Sequence, residues 1–172
     1  KKVKKLKIDE RADLIYNGSA KTKWNDDDIS LTSGTLKLLD NNADGKYDVI
    51  FAVTYYVIWV DGINPAKSTV RNKFDGKDYE FKESGDDFQI YQGGRRMSFS
   101  DIAADSILSV YESGNTKGDK KIKIDISINT ARGSVTAKDD KSIRIDDQVY
   151  KLDKEYTSKI VAGSYGTFYL DC

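Results

Sequence analysis

The sequence predicts an all-β fold: two small, related, partly open β-barrel-like units preceded by an amino-terminal β segment. Three observations predict it. Helical periodicity is nearly absent, and apolar residues instead alternate in short runs separated by Gly, Asn and Asp. Tyrosine is abundant, with 11 residues against one Met and one Pro, and Tyr, Val, Ile and Thr favour pleated, half-buried surfaces. The second half of the chain repeats a pattern found earlier in it.

The elements follow in order. Alternation predicts strands at Val3–Ile8, Asp13–Tyr16, Ala20–Trp24, Thr35–Leu39 and Tyr47–Val60. Further strands are expected at Ser68–Asn72, Asp78–Lys82, Phe88–Tyr91, Arg96–Phe99 and Ser106–Glu112. The last group is Lys121–Ile128, Ala131–Ala137, Ser142–Ile145, Gln148–Leu152 and Tyr165–Leu170. Gln92-Gly93-Gly94-Arg95 reads as a hairpin tip with positive-φ glycines. Phe74-Asp75-Gly76-Lys77 and Ile145-Asp146-Asp147-Gln148 read as tight turns. The best helix candidate is one turn at Ser100–Ala104, capped by Ser100 or Asp101.

Tyr47–Val60 is the longest expected strand. Both of its faces are mostly apolar, so it should be central or bent between two sheets. Its aromatics read first as core and second as a ligand platform.

In the repeat, Phe74–Phe81 aligns with Ile145–Leu152, and Ser100–Tyr111 aligns with Ser158–Tyr169. Each copy runs Φ-Asp-x-x-x-Tyr-x-Φ, then a turn, then a final strand. The offsets differ by an insertion near Gly93-Gly94. The polar stretch Ser113–Asp119 marks the expected division. Residues 1–113 then form an N-terminal β unit with an acidic loop, and residues 119–172 form a small barrel-like unit.

Charge and cysteine content narrow the function classes. Lys+Arg and Asp+Glu are 28 each, which gives no electrostatic case for nucleic acid or an anionic membrane. No apolar run is long enough to span a bilayer. Histidine is absent and Cys172 is the single cysteine, so zinc of the Cys/His type and nucleophile–base pairs built on His are excluded. The chain begins Lys-Lys-Val-Lys-Lys and reads as a segment of something longer. No Walker loop occurs, and no carboxylate pair stands out among the acidic residues. The expectation is a protein that is not an enzyme.

The densest motif is Asp40-Asn41-Asn42-Ala43-Asp44-Gly45-Lys46-Tyr47-Asp48. Oxygen donors fall at loop positions one, three, five and nine, from Asp40, Asn42, Asp44 and Asp48. Gly45 stands where a calcium loop turns sharply, and Lys46 stands where only the backbone carbonyl ligates. A hard cation wants six to eight oxygens, and these residues with water can supply them. Phe51 occupies position twelve in place of a bidentate Glu, and the flanks are strands. The motif therefore reads as a strand-to-strand calcium-type loop, with an Asx-rich turn without an ion as the alternative. Asp26-Asp27-Asp28 lacks alternate spacing and reads as a solvated turn. Trp24, Trp59, Tyr16, Tyr55, Tyr56, Tyr91 and Tyr111 keep open a second function, a carbohydrate-binding module for wall or plant polysaccharide.

Three patches carry a family resemblance: Ser33–Ile50, Ile143–Leu152 and Gly166-Thr-Phe-Tyr-Leu-Asp171. Together they resemble large clostridial cell-surface proteins that carry S-layer homology domains, in a region outside the anchoring repeats. The resemblance implies an extracellular, wall-associated location, a structural or adhesive role, and other domains of the same surface protein as partners. It brings no catalytic residues. Asn42 and Ala43 depart from the family pattern, which has Asp and then Gly or Asn there, and Asn42 removes one charge from the presumed calcium site.

Overall fold

The computed structural model describes residues 5–81, 88–113, 120–152 and 160–171. The chain is all-β: these residues form three open sheets, none closed into a barrel. It divides into two compact units, Lys1–Ile126 and Ser127–Cys172.

The first sheet has the order β2-β1-β4-β3, from β1 (Ile8–Tyr16), β2 (Ser19–Lys21), β3 (Thr35–Leu39) and β4 (Tyr47–Val53). Two expected strands, the end of Val3–Ile8 and Asp13–Tyr16, are one strand here. It runs parallel to β4 with a register shift between Ile8 and Asp13, while Val3 and Lys4 lie outside the described residues. Alternation sends Ala12, Leu14, Ile50 and Ala52 to one face, where Trp24, Ile29 and Leu31 pack on them. Asp26–Ile29, expected as a solvated turn, is one turn of helix (α1) with no buried residue. Asn25 accepts from Asp27 N at 2.9 Å and Asp28 accepts from Asn25 N at 3.0 Å, a capping box that satisfies two orphan donors.

The second sheet has seven strands in the order β7-β6-β5-β10-β11-β8-β9. They are β5 (Tyr56–Asn64), β6 (Thr69–Asn72), β7 (Asp78–Glu80), β8 (Phe88–Gln92), β9 (Arg95–Met97), β10 (Ile107–Glu112) and β11 (Ile122–Ser127). Its core gathers Ile58, Val60, Val70, Leu108, Val110 and Ile124, with Phe81, Phe88 and Phe99 packed ring to ring at 6.1 to 6.5 Å. The expected helical turn is a 3-10 turn at Phe99–Asp101. Its cap is Ser98, and Asp101 closes the box from the third position.

The expected strand Tyr47–Val60 is broken at Thr54-Tyr55: β4 belongs to the first sheet and β5 to the second. The chain does bend between two sheets, as its two apolar faces require. Asn17 holds the chain at the break. This residue sits in the β1–β2 turn at φ 46°. Its side chain accepts from Thr54 N at 2.9 Å and donates to Thr54 O at 3.0 Å and to Glu112 O at 2.8 Å. Both backbone groups of Thr54 are thereby taken out of any ladder.

The third sheet, in the second unit, has the order β14-β13-β12-β15. It is built from β12 (Thr130–Lys138), β13 (Ser142–Ile145), β14 (Gln148–Lys151) and β15 (Tyr165–Tyr169). The expected division at Ser113–Asp119 and the boundary after Ile126 differ by β11. That strand lies between β10 and β8 and pairs parallel with β8, Ile122 opposite Phe88, so it stays with the first unit. Gly114–Asp119 lie outside the described residues.

The two units share a four-stranded pattern, and the correspondence holds bond by bond. β7-β6-β5-β10 and β14-β13-β12-β15 are both antiparallel throughout. β5 and β12 each carry a register shift one residue past a valine, Val60 and Val135. Val60 N donates to Ser106 O at 2.9 Å and Asp105 N to Val60 O at 2.8 Å. In the other unit Val135 N donates to Ser164 O and Gly163 N to Val135 O, both at 2.8 Å. Asp105 and Gly163 both have positive φ, 64° and 91°. These bonds place Ile102–Tyr111 on Ile160–Tyr169 residue for residue, and Tyr79 on Tyr150, as the sequence alignment has them. The hairpin tips differ in length, because Asn72 bonds to Lys77 with four residues between them, whereas Ile145 lies opposite Gln148 with two residues between. The first copy also inserts the β8–β9 hairpin between Phe81 and Ile102, at Gly93 and Gly94 (φ 56° and 80°). Where Ile58 faces Leu108 across the first core, Gly133 faces Gly166. A Cβ on Gly133 would come within 2.5 Å of the Asp146 carboxylate and 2.9 Å of Ile145 Cγ2, whereas one on Gly166 would meet nothing within 4 Å, so only Gly133 is crowded.

Asn17→Ala leaves the Thr54 amide without its acceptor, and should lower the stability of the chain by about 1–3 kcal/mol. The readout is the urea midpoint; an unchanged midpoint would show that the break at Thr54 does not depend on this side chain.

Candidate functional site

The acidic loop joins β3 to β4 and satisfies its own backbone. Gly45 N donates to Asp40 Oδ2 at 3.0 Å, Asp44 N to Asn42 Oδ1 at 2.9 Å and Lys46 N to Asp44 Oδ1 at 2.8 Å. Asn41 N donates to Asp48 Oδ2 at 2.7 Å, and the Asn42 amide to Asp48 Oδ1 at 3.3 Å. Ala43 and Gly45 supply the left-handed bends, at φ 60° and 84°. The Lys46 ammonium turns away to Asp9 at 3.7 Å, which ties the loop to β1.

The predicted metal residues Asp40, Asn42, Asp44, Lys46 and Asp48 thus lie in one loop. Among the described residues, no three acidic side chains converge as a ready-made metal cluster. The donor set nonetheless fits a hard cation in type and order. One atom also asks for a partner: Asp40 Oδ1 is buried and accepts no hydrogen bond. A buried carboxylate oxygen without a donor is costly, and a cation is one group that would satisfy it.

The second candidate is a shallow cleft of about 450 Å³ in the first unit, lined by Tyr16, Asn17, Lys21, Tyr55, Tyr56, Glu112 and Lys120 among others. It lies where the chain passes from β4 to β5, and Asn17 and Thr54 are part of its lining. Glu112 accepts from Tyr56 Oη at 3.0 Å and pairs with Lys120 at 2.6 Å. Burial, and then the Glu112 charge, raise the Tyr56 phenol far above its ordinary value, so it stays a donor. Lys21 lies 5.3 Å from the Tyr16 ring centroid and pairs with Asp28. The bond to Lys21 holds the Asp28 carboxyl below its usual range; burial opposes it, and the backbone N–H of Asn25 and the Lys21 charge add to the lowering. Tyr55 packs on Tyr111 at 5.3 Å, tilted by 47°. A second, smaller cleft in the same unit is lined by residues that include Arg71 and Asp78.

The other singled-out aromatics serve mostly in packing. Trp24 Nε1 donates to Ala12 O at 2.9 Å. Trp59 carries the Lys73 ammonium 4.9 Å from its ring, and its buried Nε1 has no hydrogen-bond partner. Tyr91 lies beneath Lys123 at 5.7 Å. Sequence reasoning named the cleft's tyrosines but not Asn17, Lys21, Glu112 or Lys120. The Asn17-Gly18 pair signals a turn, yet nothing local announces that its amide will reach Thr54 and Glu112.

No protein-family model, curated protein or solved structure matches the chain.

Ala43 pays the steric penalty of a Cβ in the left-handed region. Ala43→Gly should stabilise the chain by about 1 kcal/mol, raising the urea midpoint. A lower midpoint would mean that the loop's bend is set elsewhere.

Proposed function

We propose that the chain is a non-catalytic structural or adhesion module of an extracellular bacterial surface protein, with a structural calcium in the loop Asp40–Asp48. The observation that carries this reading is the duplicated four-stranded sheet. Tandem copies of one β unit lengthen a chain and enlarge its surface without assembling new chemistry. The resemblance of the Ser33–Ile50, Ile143–Leu152 and Gly166–Asp171 patches to surface-layer-type proteins supports the location and makes other domains of the same protein the partners. Among the described residues no helix is long and apolar enough to cross a membrane.

Asp40, Asn42, Asp44, Asp48 and the Lys46 carbonyl would hold the calcium. The ion would supply positive charge to Asp40 Oδ1 and fix the point where β4 begins, with no role in a reaction. Calcium binding to the folded chain alone must raise its melting temperature. At 100 times the dissociation constant the gain is about 2.7 kcal/mol, and Asp40→Ala should abolish it. A melting curve that neither calcium nor chelator moves would remove the metal from the proposal.

A second reading is favoured by the tyrosine-lined cleft: a carbohydrate-binding module for wall or plant polysaccharide. Tyrosine faces beside paired charges offer both the apolar platform and the hydrogen bonds that a sugar ring uses. Calorimetry against wall and plant polysaccharides separates the two readings. The structural module should give no saturable heat. Saturable heat that Tyr16→Ala removes would favour the carbohydrate reading.

A further inference from the structure

The internal repeat exposes an asymmetry at one sheet edge. In the first unit β10 has neighbours on both sides, β5 and β11. In the second unit the equivalent strand, β15, pairs with β12 and ends the sheet. The residues at stake correspond one to one: Tyr165, Thr167 and Tyr169 stand where Ile107, Ser109 and Tyr111 stand.

Register shows which backbone groups face outward. Val135 N donates to Ser164 O, and Leu170 N donates to Asn129 O. Antiparallel ladders alternate with period two, so Ser164, Gly166, Phe168 and Leu170 turn their N–H and C=O groups toward β12. Tyr165, Thr167 and Tyr169 therefore turn theirs away from it. In β10 the same parity holds: Ser106 bonds across to Val60, and Ile107, Ser109 and Tyr111 turn their groups toward β11. Ser113 N donates to Lys121 O at 2.8 Å where β10 ends and β11 begins, so β10 and β11 run antiparallel.

Edge chemistry sets β15 apart from the other edges. Proteins usually protect an open edge with charge, proline or brevity. Among the six edge strands of the described residues, β2 carries Lys21, β3 Lys37, β7 Asp78 and Glu80, β9 Arg95 and Arg96, and β14 Lys151. β15 reads Tyr-Gly-Thr-Phe-Tyr, with neither charge nor proline. Its outer tyrosines, Tyr165 and Tyr169, are 68% and 50% exposed, whereas Ile107 in the equivalent place is 9% exposed.

We propose that the outer edge of β15 is an acceptor for one extended peptide strand, added antiparallel in the place that β11 takes beside β10. The occupant is a segment of five to seven residues that alternates apolar and charged side chains, contains no proline, and sets a lysine or arginine beside Tyr169. The last requirement comes from β11, whose Lys123 ammonium lies 5.2 Å from the ring centroid of Tyr111, at a distance where a cation is attracted to the ring face. Main-chain bonds to Tyr165, Thr167 and Tyr169 supply the affinity, as in other strand additions to a sheet edge.

The test uses the whole chain and a labelled peptide with the sequence Lys121–Ser127. Fluorescence anisotropy should give saturable binding, and hydrogen exchange should show the amides of Tyr165, Thr167 and Tyr169 slowed at least tenfold. Thr167→Pro deletes an outward N–H at an edge, where proline is tolerated, and should weaken binding at least tenfold. If that variant does not fold, a peptide with Ala in place of Lys123, offered to the unaltered chain, should bind at least threefold more weakly. Four results would overturn the proposal: no saturation at millimolar peptide; binding indifferent to Thr167→Pro and to the peptide change; protection confined to Ile107, Ser109 and Tyr111, which would mean exchange with the chain's own β11; or peptide-independent dimerisation that protects the same edge, which would make a second copy the occupant.

Discussion

The fold hangs on two nine-residue strands, β5 and β12, each hydrogen-bonded along both edges. A strand bonded on both sides leaves few backbone groups that need water, so it can be buried. Each strand also breaks register once, next to Val60 or Val135. A bulge adds twist and bends the strand it interrupts. Because the break falls at the same place in both copies, the hairpin on one side and the returning strand on the other meet the central strand at matching positions. The left-handed residue before the returning strand, Asp105 in one copy and Gly163 in the other, aims that strand back along the ladder.

That frame also decides where chemistry can collect. β5 begins only where β4 has ended, and Asn17 enforces the handover by occupying both backbone groups of Thr54. The same side chain binds Glu112 O at the far end of β10. One amide therefore pins three segments, and the ends of β1, β4 and β10 converge beside it. The tyrosines and the Glu112–Lys120 pair line a cleft there because strand ends converge, not because a local motif put them together. The acidic loop is different: its side-chain oxygens bind its own amides at two to seven residues' separation, so its shape is local.

This contrast explains what was legible in the sequence. The all-β class was legible because alternation and turn residues are local signals. The second half of the repeat was legible residue by residue, from Ile102 to Tyr111, because the strand and the turn before it kept their spacing. The first half was legible only from Tyr79 onward, since the hairpin tips differ in length and shift Asn72, not Phe74, onto Ile145. Tyr47–Val60 looked continuous because both of its faces are apolar. The residue that holds it at the break lies 37 positions away, beyond any windowed pattern. β11 lies beyond the expected division for a related reason: Gly114–Gly118 reads as a linker, but the pairing of β11 with β8 is parallel and no turn announces it.

The two copies show how far a backbone frame can be separated from the core it carries. Among the described residues, the first unit's larger core holds thirteen buried side chains and the second unit's holds four, Ala131, Val135, Ile143 and Ile145. The hydrogen-bond pattern of the four shared strands is nonetheless the same. The difference starts at the centre of the sheet, where the Ile58–Leu108 pair is replaced by Gly133 and Gly166. Removing two large buried side chains forgoes several kcal/mol of burial. Hydrogen bonds alone contribute little net stability. The second unit therefore keeps its shape on a thin margin, and local opening of the chain should begin there, with β14 and β15, each bonded along one edge only, as its least secured strands.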